Sequence, residues 1–152
     1  TIQEGHAIAN HGYSHDYSFL YPGRNINYTN LKRDIDRSHE IMKKILGDEF
    51  ETKVLRLPGG LRSWKGQDDT LDKLNQEGYS VIEWNALSGD SEGRVKNSED
   101  LVNKAINTSK GLNFVVLLMH DFAGKAGAYS VGALPEIIKY FKDNGYVFRT
   151  MY

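Results

Sequence analysis

Two histidines near the start of the chain have a spacing that suits a metal site. His11 and His15 lie four residues apart in the stretch His11-Gly12-Tyr13-Ser14-His15, and they would share one face if that turn were helical. Neutral imidazole is a suitable ligand for Zn²⁺, Co²⁺ or Ni²⁺. Because zinc sites usually take at least three protein ligands, a pair of surface or helix-capping histidines remains the alternative interpretation.

A third histidine, His120, directly follows the apolar run 114–119. A histidine at the end of such a run is either hydrogen-bonded to backbone in the core or a general acid or base whose pKa a neighbouring carboxylate sets. Asp90 and Asp121 are the candidate carboxylates. Asp90 is favoured because it follows the neighbouring predicted strand.

A serine motif offers a different chemistry. The stretch Gly89-Asp90-Ser91-Glu92-Gly93 fits the G-x-S-x-G nucleophile elbow of serine hydrolases. With Asp100 and His120, Ser91 would complete a triad in the order serine, acid, histidine. The elbow also requires a helix directly after the serine, whereas the next helix signal is Ser98. A serine esterase that uses Ser91 is therefore the weaker alternative.

Composition excludes several classes of function. The 152 residues include 19 lysines and arginines against 20 aspartates and glutamates, so there is no basic excess for binding nucleic-acid phosphates. The absence of cysteine excludes disulfides, thiolate metal sites and cysteine nucleophiles. The longest apolar run, 114–119, is far shorter than the roughly 20 residues that span a bilayer. We expect no nucleic-acid partner and no membrane span.

Predicted strands and helices alternate along the chain. Runs rich in β-branched and aromatic residues predict strands at 54–57, 79–84, 114–119 and 146–151. Amphipathic stretches closed by glycine predict helices from Asn30 to Gly47, from Asp69 to Gly78, from Ser98 to Gly111, and over 134–141 up to Gly145. The strand starts are 25, 35 and 32 residues apart, the spacing of parallel strands joined by crossover helices. We predict an α/β fold whose parallel sheet is open or an incomplete barrel.

Residues with chemical potential follow the predicted strands. In parallel α/β proteins, functional residues gather at the carboxyl ends of the strands, and residues 6–10 are a further candidate strand end before His11. We therefore expect His11, His15 and His120 to converge at one edge of the sheet. The glycine-rich stretch 124–127 is predicted to be a loop that borders the same cleft.

Four motifs occur in order along the chain. The histidine motif 11–15 follows residues 4–10, and it is succeeded by Arg56-Leu57-Pro58-Gly59-Gly60, by the strand end 84–90, and by Leu117-Leu118-Met119-His120-Asp121. In this order and spacing they resemble the histidine, R-x-P-x-G, tuning-aspartate and L-x-x-H motifs of the NodB-type polysaccharide deacetylases, carbohydrate esterase family four. The resemblance covers essentially the whole chain.

The resemblance implies a metal-dependent hydrolase that removes acetyl groups from a polysaccharide and folds as a distorted (β/α) barrel. His11 and His15 would be histidine ligands of a divalent ion, either zinc or, alternatively, cobalt or nickel. The substrate would be an N-acetylglucosamine polymer such as peptidoglycan or a chitin-like chain, or acetylated xylan. Because such polymers lie outside the cell, the resemblance also implies an extracellular or cell-surface location.

The same resemblance implies a role for five further residues. His120 would protonate the leaving amine or alcohol, with Asp90 holding its imidazolium state, and Arg56 would orient the catalytic base. Gly59 would donate its backbone N–H to the tetrahedral oxyanion, and Leu118 would line the pocket for the acetyl methyl group.

Three departures from the family pattern shape our expectations. The aspartate motif that supplies a third metal ligand and the general base is missing, so we expect one deacetylase-like domain over 1–152 that lacks its N-terminal strand or strands. Leu87 stands where many relatives have aspartate, and Ser91 where many have tryptophan. We expect this piece alone to be a poor enzyme and to self-associate through an exposed sheet edge. A non-catalytic glycan-binding relative is the remaining alternative.

Overall fold

Short strands alternate with helices, as the sequence predicts. The structure, a computed structural model, describes residues 1–93, 97–121 and 123–151. In these ranges the α-helices are α1 (Tyr17–Leu20), α2 (Tyr28–Leu46), α3 (Gln67–Gln76), α4 (Ser98–Ser109) and α5 (Gly124–Asp143). The strands are β1 (Val54–Leu55), β2 (Ser80–Val81), β3 (Ala86–Leu87) and β4 (Leu117–Leu118). None of the helices in these ranges is both long and apolar enough to cross a bilayer.

The chain forms two compact units, each with one parallel pair of strands. The first unit comprises residues 1–83 with 150–152, and the second comprises 84–149. In the first, β1 pairs with β2, and a single parallel bridge from Asn10 to Leu55 forms the expected strand end at 6–10. In the second, β3 pairs with β4. The single domain expected over 1–152 stays a prediction.

The first unit is built around the apolar face of α2. Leu31 and Ile35 are fully buried and pack with the buried leucines of β1 and its extension. The helix ends at Gly47 as predicted, but its N-cap is Asn27 rather than Asn30, because the Asn27 side chain accepts the hydrogen bond from the Asn30 N–H. The buried core of this unit consists of Leu20, Tyr21, Leu31, Ile35, Leu55, Leu57, Leu61, Leu74 and Tyr79.

The second unit is built on the contact between α4 and α5. Its buried core consists of Leu101, Val102, Ala105, Ala133, Ile137 and Phe141. The prediction of a loop at 124–127 is wrong, because these residues form the first turn of α5. The buried stripe of that helix starts with the small residues Gly127, Ser130 and Ala133, so a search for large apolar residues detects only its second half.

The strands are shorter and partly elsewhere than predicted. Each has two residues, and β3 lies just beyond the run 79–84 that we predicted to be a strand. Within the described part of 146–151 there is no strand. The Tyr146 N–H instead donates to the Phe141 carbonyl at the end of α5, at 3.0 Å, and its hydroxyl donates to the distant Leu112 carbonyl. An apolar run becomes a strand only where a neighbouring strand accepts its backbone hydrogen bonds.

Candidate active site

His11 has a defined orientation and tautomer. Its Nδ1 lies 2.7 Å from the backbone carbonyl oxygen of Arg56. A carbonyl oxygen only accepts hydrogen bonds, so Nδ1 carries the proton and Nε2 carries the lone pair. Nε2 lies 3.2 Å from Nη2 of Arg56, which donates to it. A carbonyl that holds Nδ1–H is the usual arrangement for a histidine that binds metal through Nε2.

The two histidines of the motif lie side by side. The ring centroids of His11 and His15 are 5.3 Å apart, with the planes inclined at 71°. The segment forms a bend and not the helical turn that we considered, because Gly12 and His15 both have positive φ, 77° and 53°. Left-handed backbone at a residue other than glycine is uncommon and concentrates at functional sites.

A buried carboxylate that the sequence analysis missed holds this bend. Asp34 of α2 is only 5% exposed. Its carboxylate accepts hydrogen bonds from the backbone N–H of Tyr13 at 2.7 Å and of Ser14 at 3.1 Å. A Cβ on Gly12 would lie 2.6 Å from Asp34 Oδ2, so only glycine fits there. The sequence contained one sign of this role: Asp34 is an acidic residue on the apolar face of an amphipathic helix.

Asn10 also holds the bend, through hydrogen bonds of its side chain. It is 1% exposed, and its side-chain oxygen accepts from the Gly12 N–H at 2.8 Å while its amide donates to the Ile35 carbonyl at 3.0 Å. Its backbone pairs with β1. Asn10 therefore connects the histidine bend to both α2 and the sheet.

Arg56 supplies a fixed positive charge beside His11. Burial lowers the pKa of its guanidinium, while Glu83 and Tyr17 act in the opposite direction. Arginine remains protonated at neutral pH despite such a shift because its ordinary pKa is above 12. Arg56 therefore offers a permanent cation that can orient a carboxylate.

Gly59 lies where no side chain fits. Its φ is 76°, and a Cβ at this position would lie 2.9 Å from Cζ2 of Trp64 and 3.1 Å from the hydroxyl oxygen of Tyr17. Trp64 is held in place by its indole N–H, which donates to the Pro58 carbonyl at 3.0 Å. The backbone of Gly59 is therefore bordered by two aromatic side chains.

These rings belong to an aromatic cluster, which we define as Tyr17, Tyr21 and Trp64. Tyr21 stacks on Trp64 with centroids 4.0 Å apart. Tyr17 lies edge-on to Trp64 at 5.0 Å and contacts the His15 ring at 5.1 Å. The aromatic cluster thus extends from the histidine pair to Gly59.

The second unit contains the predicted pair of Asp90 and His120. Nδ1 of His120 lies 2.8 Å from Oδ1 of Asp90, and the His120 backbone N–H donates to Oδ2 at 2.5 Å. Ser130 of α5 also donates to Oδ2, at 3.3 Å, a contact that the sequence did not indicate. Asp121, the other candidate carboxylate, is exposed. With Nδ1–H held by Asp90, proton transfer from His120 to a substrate would go through Nε2.

Ser91 does not occupy a nucleophile elbow. It is exposed in a turn in which the Glu92 N–H donates to the Gly89 carbonyl at 3.0 Å. Helix α4 begins only at Ser98, whereas an elbow requires a helix directly after the serine. The structure therefore gives no support to the serine triad.

Leu118 lies on β4, with Leu87 of β3 as its register partner. Both side chains are half-buried. The structure thus brings together His11, His15, Arg56 and Gly59 in the first unit, and Asp90, His120 and Leu118 in the second. Convergence of the three histidines on one cavity stays a prediction, as does each catalytic role.

The histidine pair offers part of a metal site. His11 has the tautomer that binds a metal through Nε2, and an ion there would replace the hydrogen bond that Arg56 donates to that nitrogen. With the adjacent His15 ring, it would supply two ligands of a divalent ion. Within the described ranges, no group of three or more histidine, aspartate or glutamate side chains is arranged to hold an ion. Asp34 is not a third ligand in this arrangement, because backbone N–H groups use both of its oxygens.

Comparison with known proteins identifies the family. The model of the family "Polysaccharide deacetylase" matches residues 1–82, more than half of the chain. The matched residues lie in the first unit, which contains the histidine bend, Arg56 and Gly59. The chain belongs to the polysaccharide deacetylase family, which confirms the resemblance seen in the motifs.

Individual relatives agree with this assignment. A CE4 esterase from Streptococcus mutans has 35% identity and a TM-score of 0.92, over 99% of this chain and 65% of that one. The catalytic domain of a peptidoglycan N-acetylglucosamine deacetylase from Eubacterium rectale has the same fold, with 24% identity, a TM-score of 0.83, and coverage of 99% and 67%. A peptidoglycan-N-acetylglucosamine deacetylase from Bacillus cereus is 27% identical over 99% of this chain and 64% of its own length.

These comparisons also define the fold class. The chain is an α/β protein whose parallel βα units form part of a (β/α) barrel. It spans about two thirds of the length of the Streptococcus mutans and Bacillus cereus relatives.

Proposed function

We propose that the protein is a metal-dependent deacetylase that acts on an extracellular or cell-surface polysaccharide. The observation that carries the proposal is the pair of His11, with Nδ1–H held by the Arg56 carbonyl, and the adjacent His15. It occurs in a chain of the polysaccharide deacetylase family. The substrate that we propose is an N-acetylglucosamine polymer such as peptidoglycan or a chitin-like chain, with acetylated xylan as the alternative.

His11 and His15 would hold the ion, which we take to be zinc, or else cobalt or nickel. When bound, a divalent ion lowers the pKa of a coordinated water and polarises the acetyl carbonyl. Two protein ligands are fewer than zinc usually takes, so the site needs a further donor. Arg56 is the cation that would orient a carboxylate acting as the general base.

The remaining residues would act on the acetyl group and the leaving group. Water attacks the acetyl carbon and gives a proton to the general-base carboxylate, and the Gly59 N–H donates to the oxygen that becomes negative. His120 then protonates the departing amine through Nε2 while Asp90 stabilises the imidazolium. The carbon–nitrogen bond breaks, and acetate and a free amino sugar are released. On an O-acetyl substrate the same steps release an alcohol.

The proposal is tested by acetate release from N-acetylglucosamine oligomers and from acetylated xylan, with the natural protein at full length. Chelation is expected to abolish release, and added zinc to restore it. His11→Ala should lose both activity and bound metal, whereas Ser91→Ala should retain both. Activity that survives complete chelation, or that disappears in Ser91→Ala, would contradict the proposal. A chain that binds the glycan without metal or turnover would be a non-catalytic relative.

A further inference from the structure

We propose that Tyr17 is a further catalytic residue, whose hydroxyl donates a hydrogen bond to the acetyl oxygen beside the Gly59 N–H as that oxygen becomes negative. The inference rests on the proposed function, because it adds a second donor to the oxyanion site of the same reaction. It concerns residues of the first unit only.

The position of Tyr17 is set by the chain that leaves the histidine bend. Helix α1 begins at Tyr17, two residues after His15. Asp16 caps this helix by accepting hydrogen bonds from the N–H groups of Ser18 at 2.9 Å and Phe19 at 3.2 Å. The Tyr17 ring contacts His15 on one side and Trp64 on another, with centroids 5.1 and 5.0 Å away. The ring therefore lies between His15, a proposed metal ligand, and Trp64, which borders Gly59.

The Tyr17 hydroxyl lies close to the proposed oxyanion donor. Its oxygen is 3.1 Å from the point that a Cβ of Gly59 would occupy. A Cβ lies about 2.5 Å from the nitrogen of its own residue. The hydroxyl oxygen is therefore no more than about 5.6 Å from the Gly59 nitrogen. Two donors that share one oxygen, each at about 3 Å, lie within about 6 Å of each other. The separation of the two donors therefore meets the distance requirement for sharing one acetyl oxygen.

The chemistry of the hydroxyl suits this role. A phenol hydroxyl has one O–H donor, so Tyr17 has the group that the role requires. Tyr17 is 43% exposed, so part of the residue is accessible to a substrate. A hydrogen bond to a charged acceptor is stronger than one between neutral groups, so the bond from Tyr17 would strengthen as negative charge develops on the acetyl oxygen. A fixed donor directed at developing charge lowers the barrier because it does not reorganise during the reaction.

The same helical turn contains a tyrosine that serves as a matched control. Tyr21 is 3% exposed and stacks on Trp64. Its hydroxyl is buried and has no hydrogen-bond partner among the described residues, and burial raises its pKa. Tyr21 thus contributes a ring to the aromatic cluster, and its hydroxyl has no part in the proposed reaction.

The test compares Tyr17→Phe with Tyr21→Phe in the natural full-length protein, loaded with zinc, on an N-acetylglucosamine oligomer. Because loss of one oxyanion donor costs on the order of a hundredfold in kcat, Tyr17→Phe should lose about that factor with KM little changed. Its affinity for a phosphonate analogue with a tetrahedral anionic oxygen should fall by a similar factor. Tyr21→Phe should keep kcat, KM and analogue affinity.

The outcomes separate the two proposals. If the zinc-loaded wild type releases no acetate from any acetylated glycan, the proposed function fails and this inference fails with it. If the wild type is active and Tyr17→Phe retains kcat within about twofold, only the role of Tyr17 is overturned. A rise in KM at constant kcat also overturns it, because the hydroxyl then binds the sugar and not the transition state. Unfolding midpoints and KM show whether a loss of kcat reflects misfolding, because both should stay near the wild-type values if only the oxyanion donor is lost.

Discussion

The carboxylate of Asp34 lies 2.7 Å from the backbone nitrogen of Tyr13, so a buried charge on α2 holds the bend that carries both motif histidines. The bend has left-handed backbone at His15, a conformation that costs free energy and persists where surrounding contacts enforce it. The geometry of the proposed metal ligands therefore depends on a residue that lies outside the histidine motif.

Replacement of Asp34 by asparagine should weaken metal binding. In Asp34→Asn, one acceptor oxygen becomes an N–H donor that faces backbone N–H groups, and the bend loses part of its support. Loss of such outer contacts typically costs about 10- to 100-fold in metal affinity, which titration with Co²⁺ or Zn²⁺ can measure. Asp36→Asn is the control, because Asp36 pairs with Lys32 on an exposed part of the same helix. Equal affinities in the two variants would contradict the role of Asp34.

Gly59→Ala should destabilise the first unit and reduce activity. The new Cβ would combine a φ of 76° with a contact 2.9 Å from Trp64. Gly66→Ala isolates the backbone effect, because Gly66 has a φ of 77° and nothing within 4 Å of its Cβ position. We expect Gly66→Ala to lower the free energy of unfolding by about 1 kcal/mol and Gly59→Ala by about 1–3 kcal/mol more. Urea denaturation measures the difference. Equal losses of unfolding free energy in the two variants would show that the aromatic cluster moves to accept the new Cβ at no cost.

Asp90→Asn should lower kcat about 100-fold or more, since general acid catalysis typically contributes about that factor. The variant removes the negative charge that would stabilise the protonated His120 while keeping the size of the side chain. Asp121→Asn changes the other neighbouring carboxylate, which is exposed, and should stay within about threefold of wild type. Steady-state kinetics on one acetylated oligomer gives both values. A larger loss in Asp121→Asn would reverse the assignment of the partner.

Glu51 should stabilise the fold in a pH-dependent way. The hydrogen bond from Lys43 lowers the pKa of its carboxyl below the ordinary value of 4.5, with His39 adding to the effect. A pKa that is lower in the folded state than in the unfolded state stabilises the fold above the unfolded value, and this stabilisation disappears as pH falls through the folded value. Glu51→Gln should therefore be less stable than wild type at pH 7 and match it at acidic pH.

Urea denaturation at neutral and acidic pH tests this expectation, with Glu49→Gln as the control for loss of a nearby exposed charge. A difference between Glu51→Gln and wild type that persists unchanged at acidic pH would show that the ion pair is not its cause.

Local patterns predicted the elements whose signals lie within a few residues. The end of α2 follows from Gly47, and the start of α4 was predicted at Ser98, although its N-cap is Asn97. The order of the motifs indicated the family, and the position of Asp90 after a predicted strand indicated its pairing with His120. These features are readable because each depends on side-chain type and on spacing along the chain.

Only the tertiary structure revealed how the candidate site is supported. The contacts of Asp34 with Tyr13, of Ser130 with Asp90 and of Tyr17 with Gly59 each join residues far apart in the chain. The early start of α5 and the lack of a strand in the described part of 146–151 likewise depend on packing and on available strand partners. A sequence specifies which groups can donate, accept or fill space, but the folded chain determines which of them meet, because burial and backbone pairing select among many local possibilities.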